Sequence, residues 1–499
     1  MPAHLALSQS RFENDGDLVK LIYAETVQDA EGHVNTTKAV GNVHFEHNKT
    51  NLYCDSALFF RDFDLIHAYG KVHVNQGDTI NMFCDSLIYD GKTKISKLQG
   101  NVRMRDKEYK LVTDSLEYNG EQSIGHYQDF ATITSITSDM KLTSIKGFYH
   151  ANQKTFFFKD SVRITHPDYN LESDTLEFRT STSTAHIHGP TIIYFDSSRV
   201  ECTKGTFFTK EDYVQLWNGA TLIDTSRTFY ADSLLYNQGS GVGEGYMNVD
   251  LYDSTENVQF KSDYLWKSSN NDSLILTNNA KIIQYNKDDT LYLLADSIFH
   301  YEDTITEEKT SIFQTNVAII NGDLRVRCDS AYFGTADSII KFHKNPIMWS
   351  QNTQMTSDSI LSSFYDEAFH EVYLYHNSFI CNEQDTSHYD QLKGKFMTAW
   401  IDSSKIQKVF IQQNSESIYF TSESKKDSLN QEIKTITGRN KIDCNEIYIH
   451  FKESEINSVS FVDQPTAKYS PIESLKPTDF FLKGFKWQIG LKPERILIE

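Results

Sequence analysis

Proline and glycine are scarce, at 8 and 23 of 499 residues. That excludes collagen-like and Pro/Gly-rich disordered architectures. No run of 18 or more apolar residues occurs, so no membrane-spanning helix is encoded. Six cysteines are present without a CxxC spacing, which argues against zinc and dithiol redox chemistry. Basic residues are outnumbered, 48 Lys+Arg against 68 Asp+Glu, for a formal charge of −20. A chain this acidic lacks the basic footprint that nucleic acid requires, and no general attraction to an anionic membrane surface follows from it. HExxH, GxSxG and GxxxxGKS/T are absent, as is any capped amphipathic stretch of 12 or more residues. The opening MPAHLALSQSRF has neither the basic segment nor the long apolar run of an export signal.

Aromatic residues reach 13 %, with 27 Tyr and 32 Phe. Together with frequent Ile, Val and Thr they point to β structure. At roughly 150 residues per domain the length would imply about three domains, unless the chain is a repeat array. A repeat is present. YCDSALFF (53–60), FCDSLIYD (83–90), VTDSLEYN (112–119), ESDTLEFR (172–179), YADSLLYN (230–237), LADSIFHY (294–301) and RCDSAYFG (327–334) share one pattern. It reads small residue, Asp, Ser or Thr, aliphatic, any, aromatic. From Asp55 to Asp358 there are 303 residues in ten steps, or 30.3 per step. Ile145 and Thr203 keep the spacing and lose the acid; Glu25 fits one step earlier.

A second element precedes each acid by about 14 residues, as GNVHF (41–45), GKVHV (70–74), GNVRM (100–104), DSVRI (160–164) and NPIMW (345–349). Gly, Asn or Asp followed by alternation reads as a turn opening a half-buried strand. Each unit of ~30 residues is thus expected to supply two strands and two turns. The inward set is Val43, Phe45, Val72, Val74, Leu87, Tyr89, Val102, Met104, Leu116, Tyr118, Leu176, Phe178, Leu234 and Tyr236, with His44, His73 and Arg103 facing outward. One apolar face per unit is buried only by stacking many units, so the expectation is an elongated all-β array.

The repeated Asp could suggest a calcium ladder. The GGxGxD signature is absent, and Asp accepting backbone N–H bonds to fix a turn is the better reading. No metal or cofactor is expected. Cys54, Cys84, Cys202 and Cys328 precede the Asp slot, where other units carry Thr, Ser or Ala, so cysteine acts as a small packed residue. A Cys54–Cys84 disulfide is possible but not indicated. GSGVGEG (239–245) opens no helix, HIH (186–188) reads as a polar strand face, and Glu13, Asp15 and Asp17 read as a solvated leader. Four of eight prolines lie in 465–499, with Lys476, Lys483, Lys486, Lys492 and Arg495 among Phe480, Phe481, Phe485 and Trp487. The repeat has ended there. A cap over the last strand edge is favoured over a docking segment for an outer-membrane partner or lipid headgroups.

GNVHFEHNKTNLYCDSALFF, YGKVHVNQGDTINMFCDSLIYD and LQGNVRMRDKEYKLVTDSLEYN resemble the OstA-type (organic solvent tolerance N-terminal, LptA-like) repeat, in particular the long OstA-like proteins of Bacteroidetes. The closing segments 406–420 and 456–471 and the tail 480–493 resemble the endings of these proteins. The resemblance implies an elongated OstA/LptA-like β-jellyroll or solenoid-like array with acyl chains held between two sheets. It implies no catalysis, a role in carrying lipopolysaccharide to the outer membrane, and a location in the periplasm or at the periplasmic face of that membrane. An export signal is then expected upstream or lost. The implied partners are lipopolysaccharide or lipid A acyl chains, and outer- and inner-membrane transport components met by end-to-end strand pairing. The fourteen inward residues are the lipid-groove candidates. The expected organisation is a leader (1–20), a repeat array (21–395), closing β units (396–464) and a tail (465–499). Two alternatives stand: a structural or adhesive β-solenoid with a closed core, and a carbohydrate-active β-helix enzyme. The even spacing from 55 to 358 leaves no irregular insertion for the enzyme.

Overall fold

The computed structural model describes residues 18–494 except 31, 33, 78–79, 269–272, 287–289, 304, 367, 404, 427–431 and 453–454. Glu13, Asp15, Asp17 and Arg495 lie outside the described residues. The fold is all-β; among the described residues the only helical turns are five 3-10 segments of three or four residues. The chain forms two compact units, residues 1–225 with 237–239, and residues 226–236 with 240–499.

In the first unit the repeats form an antiparallel meander. Thr36–His47 pairs with Thr50–Phe60, which pairs with Leu65–Gln76, then Ile80–Asp90, Ile95–Arg105 and Tyr109–Asn119. Two strands per ~30 residues is the expected count. The Gly/Asn segments correct the expectation in one respect. They do not open strands after a reversal; they sit inside them. The pairing register shifts between Val40 and Val43, Tyr69 and Val72, and Gln99 and Val102. The skipped pairs Gly41/Asn42, Gly70/Lys71 and Gly100/Asn101 all have positive φ. Two successive left-handed residues form a bulge that bends the strand without ending it. Each strand thereby contributes one half to each of two layers that face each other.

The reversals fall between the bends. There Asp90 Oδ1 accepts the N–H groups of Lys92 (2.9 Å) and Thr93 (3.2 Å), and Asn119 Oδ1 those of Glu121 (3.0 Å) and Gln122 (2.9 Å). Both are Asx turns. Left-handed backbone serves reversals and bulges alike, so the residue types do not separate the two.

In most units the repeated acid is likewise in mid-strand, not at a strand start; Glu25 and Asp358 lie between two short strands. The acid lies beside the bend of the neighbouring strand and, where that bend carries Asn, accepts its side-chain amide. Asn101 donates to Asp85 (2.7 Å), Asn42 to Glu25 (2.6 Å), Asn248 to Asp232 (2.7 Å), Asn279 to Asp263 (2.9 Å) and Asn316 to Asp296 (2.9 Å). A Cβ on Gly100 would lie 2.7 Å from Asp85 Oδ2, which is why this bend takes glycine.

In the second unit Val242–Asp253, Val258–Lys267, Leu274–Tyr285, Thr290–Glu302, Lys309–Asn321 and Leu324–Gly334 repeat the meander. Their bends fall at Met247/Asn248, Asn278/Asn279 and Thr315/Asn316. Later strands lengthen, to 22 residues in Lys405–Lys426 and 21 in Glu432–Lys452. The tail returns onto the outer face of one layer, where Leu482 packs with Phe379, Cys381, Ile418 and Phe420. Its first residues, Thr466–Pro471, pair along the edge of Glu432–Lys452, as the edge-cap reading expects, and the residues after them cover a face. Apolar side chains of both parities in 346–349 and 378–381 leave that face needing cover.

All six cysteines are free. Cys54 and Cys84 sit on strands separated by Leu65–Gln76, two spacings of about 4.8 Å apart and beyond disulfide reach.

Candidate functional site

The two units treat their inner faces differently. In the first, large rings fill the space between the layers: Phe45, Tyr118, Tyr127, Phe156, Phe158, Phe178 and Phe207 are each under 2 % exposed. Polar links tie the reversal ends of the layers together. His47 Nδ1 meets Tyr89 Oη at 2.7 Å, Gln76 donates to the Gly120 carbonyl (2.6 Å), and Lys154 pairs with Glu108 (2.7 Å). Tyr149 donates to Asp106, and burial together with that carboxylate holds its phenol far above the ordinary value. The interior here is closed.

In the second unit the facing layers enclose a cavity of about 470 Å³. That lies within the roughly 300–1,000 Å³ of small-molecule sites. One wall is Leu251, Val258, Phe260, Ile282, Leu291 and Leu293; the other is Leu274, Phe313, Phe333, Ile340 and Phe364. Alternation along each strand points these side chains inward. Four rings, Phe260, Phe313, Phe333 and Phe364, line this space without filling it, and aliphatic side chains with Ser311 complete the walls. Two polar groups of the wall meet each other, His300 Nδ1 and Ser311 Oγ at 2.8 Å.

Charged groups ring the cavity at the reversal ends. Arg227 pairs with Asp253 at 2.7 Å. Burial alone would push the Asp253 carboxyl up. The Arg227 guanidinium and the N–H groups of Glu256 and Thr255 outweigh it and hold the group below its ordinary 3.8. Lys309, which opens a strand half in one layer, reaches Glu256 on a reversal of the other at 3.3 Å. This pair ties the layers across the cavity mouth. With Glu302 and Asp366 also on the rim, acids outnumber cations there. Such a site suits an apolar chain and gives no net attraction to a polyanion.

Thirteen of the fourteen inward candidates are buried, at 4 % exposure or less, and Tyr236 is half-buried. None of the fourteen lines the cavity. Arg103 is exposed as expected. His44 and His73 are half-buried because they stack outside the layers, His44 on Tyr53 (4.4 Å between centroids) and His73 on Phe83 (4.4 Å). The sequence reading missed the cavity residues of 251–364. Their alternation is as regular as that of the earlier units. No feature of the sequence singles them out, since inward rings continue through this stretch as Phe260, Phe313, Phe333 and Phe364.

The family model described as OstA-like protein matches residues 17–174, and this part of the chain is OstA-like. No curated protein matches the chain.

Proposed function

We propose that the protein is a non-enzymatic lipid-binding component of lipopolysaccharide transport to the outer membrane. It acts in the periplasm or at the periplasmic face of that membrane and holds acyl chain in the apolar space between its layers. The observation behind this reading is the cavity of about 470 Å³ in the second unit, apolar within and charged at its mouth. At ~0.8 kcal/mol per CH₂, ten buried methylenes contribute on the order of 8 kcal/mol before ordering costs. The OstA-like match over 17–174 supports the transport class. The fourteen inward residues, of which only Leu234 and Tyr236 belong to the second unit, form closed apolar interior and line no part of this cavity. The partners proposed are lipopolysaccharide or lipid A chains and transport components that add strands to exposed sheet edges. The short edge strands Lys20–Tyr23 and Thr26–Asp29, both paired to Thr36–His47, offer one such edge.

The second reading is a structural β-array with no lipid, favoured by the ring-filled interior of the first unit. One experiment separates the two. The full chain is exported, purified from the periplasmic fraction, and examined by native mass spectrometry and lipid extraction. Co-purifying acylated lipid, lost when Leu293→Phe and Ser311→Phe fill the cavity, supports transport. A wild-type protein free of lipid, or lipid retained unchanged in the filled variant, sinks it. Recovery of the native gene product in the cytosol would remove the location as well.

A further inference from the structure

A second pocket, of about 700 Å³, lies on the outer face of the second unit, between the C-terminal tail and the bends of the strands beneath. Five cations line it: Arg327, Lys344, Lys393, Lys483 and Lys486. Only two carboxylates join them, Asp329 and Asp358. In a chain of net charge −20 this is a local reversal of sign. Both carboxylates are engaged, Asp329 with Lys344 (2.9 Å) and Asp358 with the Asn377 amide (2.9 Å). Lys393 pairs with Glu416 (2.9 Å). Arg327, Lys483 and Lys486 have no carboxylate partner among the described residues.

The tail lysines are held in place by buried groups. Gln391, fully buried, accepts the Leu482 N–H (2.8 Å) and donates to the Phe480 carbonyl (2.7 Å). Gln354, 1 % exposed, donates to the Lys486 carbonyl (2.7 Å) and accepts the Gln488 N–H (2.8 Å). Backbone on both sides of 483–486 is thus fixed, and Gly484, at φ +100°, turns the chain between the two lysines. Two buried amides pinning a short cationic turn exceed what apolar cover requires.

We propose that this pocket binds a phosphate monoester carried on a saccharide. Three unpaired cations call for more than one negative charge. A phosphate monoester carries about −1.5 to −2 near neutral pH and matches the Arg fork bidentately. The volume exceeds that of a bare phosphate and leaves room for the sugar. The site is separate from the apolar cavity and independent of whether that cavity holds lipid.

The test uses the full chain and three probes: glucosamine 1-phosphate, inorganic phosphate, and diphosphorylated lipid A in detergent micelles beside its dephosphorylated form. Calorimetric titration is run on the wild type, on the R327Q/K483Q/K486Q variant and on K483R/K486R. The neutral variant is expected to lose at least tenfold in affinity for glucosamine 1-phosphate, the arginine variant less than threefold. Raising salt from 50 to 200 mM should weaken wild-type binding. Tighter binding of phosphorylated than dephosphorylated micelles assigns the headgroup as source; binding of the free sugar phosphate alone assigns the soluble ligand. Inorganic phosphate binding as tightly as the sugar phosphate overturns the saccharide part. Equal binding by wild type and neutral variant, or none to any probe at millimolar concentration, overturns the site. Should the triple variant fail to fold, K483Q and K486Q singly, at exposed positions, give the same reading at reduced size. Repeating the titration on the cavity-filled variant separates failure here from failure of lipid binding.

Discussion

The acid–amide pairs at the Asn-bearing bends resolve what a repeated aspartate does in those units. Asp85 receives the Asn101 amide at 2.7 Å while Gly100 passes beneath the carboxylate at φ +79°. Gly100→Ala meets two penalties, a strained backbone and a Cβ pressed on Asp85, and is expected to cost about 1–3 kcal/mol. Urea unfolding should show it as a lower midpoint with unchanged slope. Ala at Gly32, also at positive φ but with open space around it, supplies the strain-only control. The Arg227–Asp253 pair adds a pH dependence. The folded-state pKa of Asp253 is depressed, so its contribution is present above the ordinary 3.8 and is lost as pH falls through the lowered value. Arg227→Met should destabilise by about 1–3 kcal/mol at pH 7. The gap from wild type should narrow as pH drops below ~4. A gap that stays constant down to strong acid would show that the pair stabilises through packing alone.

At the scale of the element, the alternation of Val43/Phe45, Val72/Val74 and Val102/Met104 was legible because a period of two allows only one burial assignment per register. The bend was not legible, since Gly-Asn is the residue pair of a hairpin turn and of a double left-handed bulge alike. The prolines pointed to an edge cap, which Thr466–Pro471 supplies, but not to the course of the residues after it. The clue lay in the receiving strands: the segments 346–349 and 378–381 are apolar at both parities, which a strand with one solvated face does not tolerate. The tail is therefore part of the packed structure. Leu482, 4 % exposed among Phe379, Cys381, Ile418 and Phe420, is its anchor. Leu482→Ala should cost about 2–5 kcal/mol by urea unfolding. A loss below 0.5 kcal/mol would mean that the tail merely rests on that face.

For the whole molecule, a step of about thirty residues builds both units, and what distinguishes them is the filling of the inner face. Side chains close the first; in the second, walls that also carry Phe260, Phe313, Phe333 and Phe364 leave room. The cavity was hidden from sequence reasoning because both fillings satisfy the same apolar-inward pattern, and only summed volume between the layers separates them. Stacked repeats unfold as coupled neighbours, so stability depends on how strongly each pair of strands supports the next.

The six unpaired cysteines turn this into a counting experiment. Cys54, Cys84 and Cys202 belong to the first unit, and Cys328, Cys381 and Cys444 to the second. Burial pushes the thiols up, Cys54 to about 11 and Cys84, Cys202 and Cys328 to about 12, so thiolate is a rare species in the native protein. An alkylating reagent should leave the native chain almost unmodified, with Cys444, the least buried, reacting first. Along a urea gradient, mass spectrometry would read the number of adducts per molecule. A single jump to six would mean that both units melt as one. A plateau at three would name, by peptide mapping, the unit that opens first.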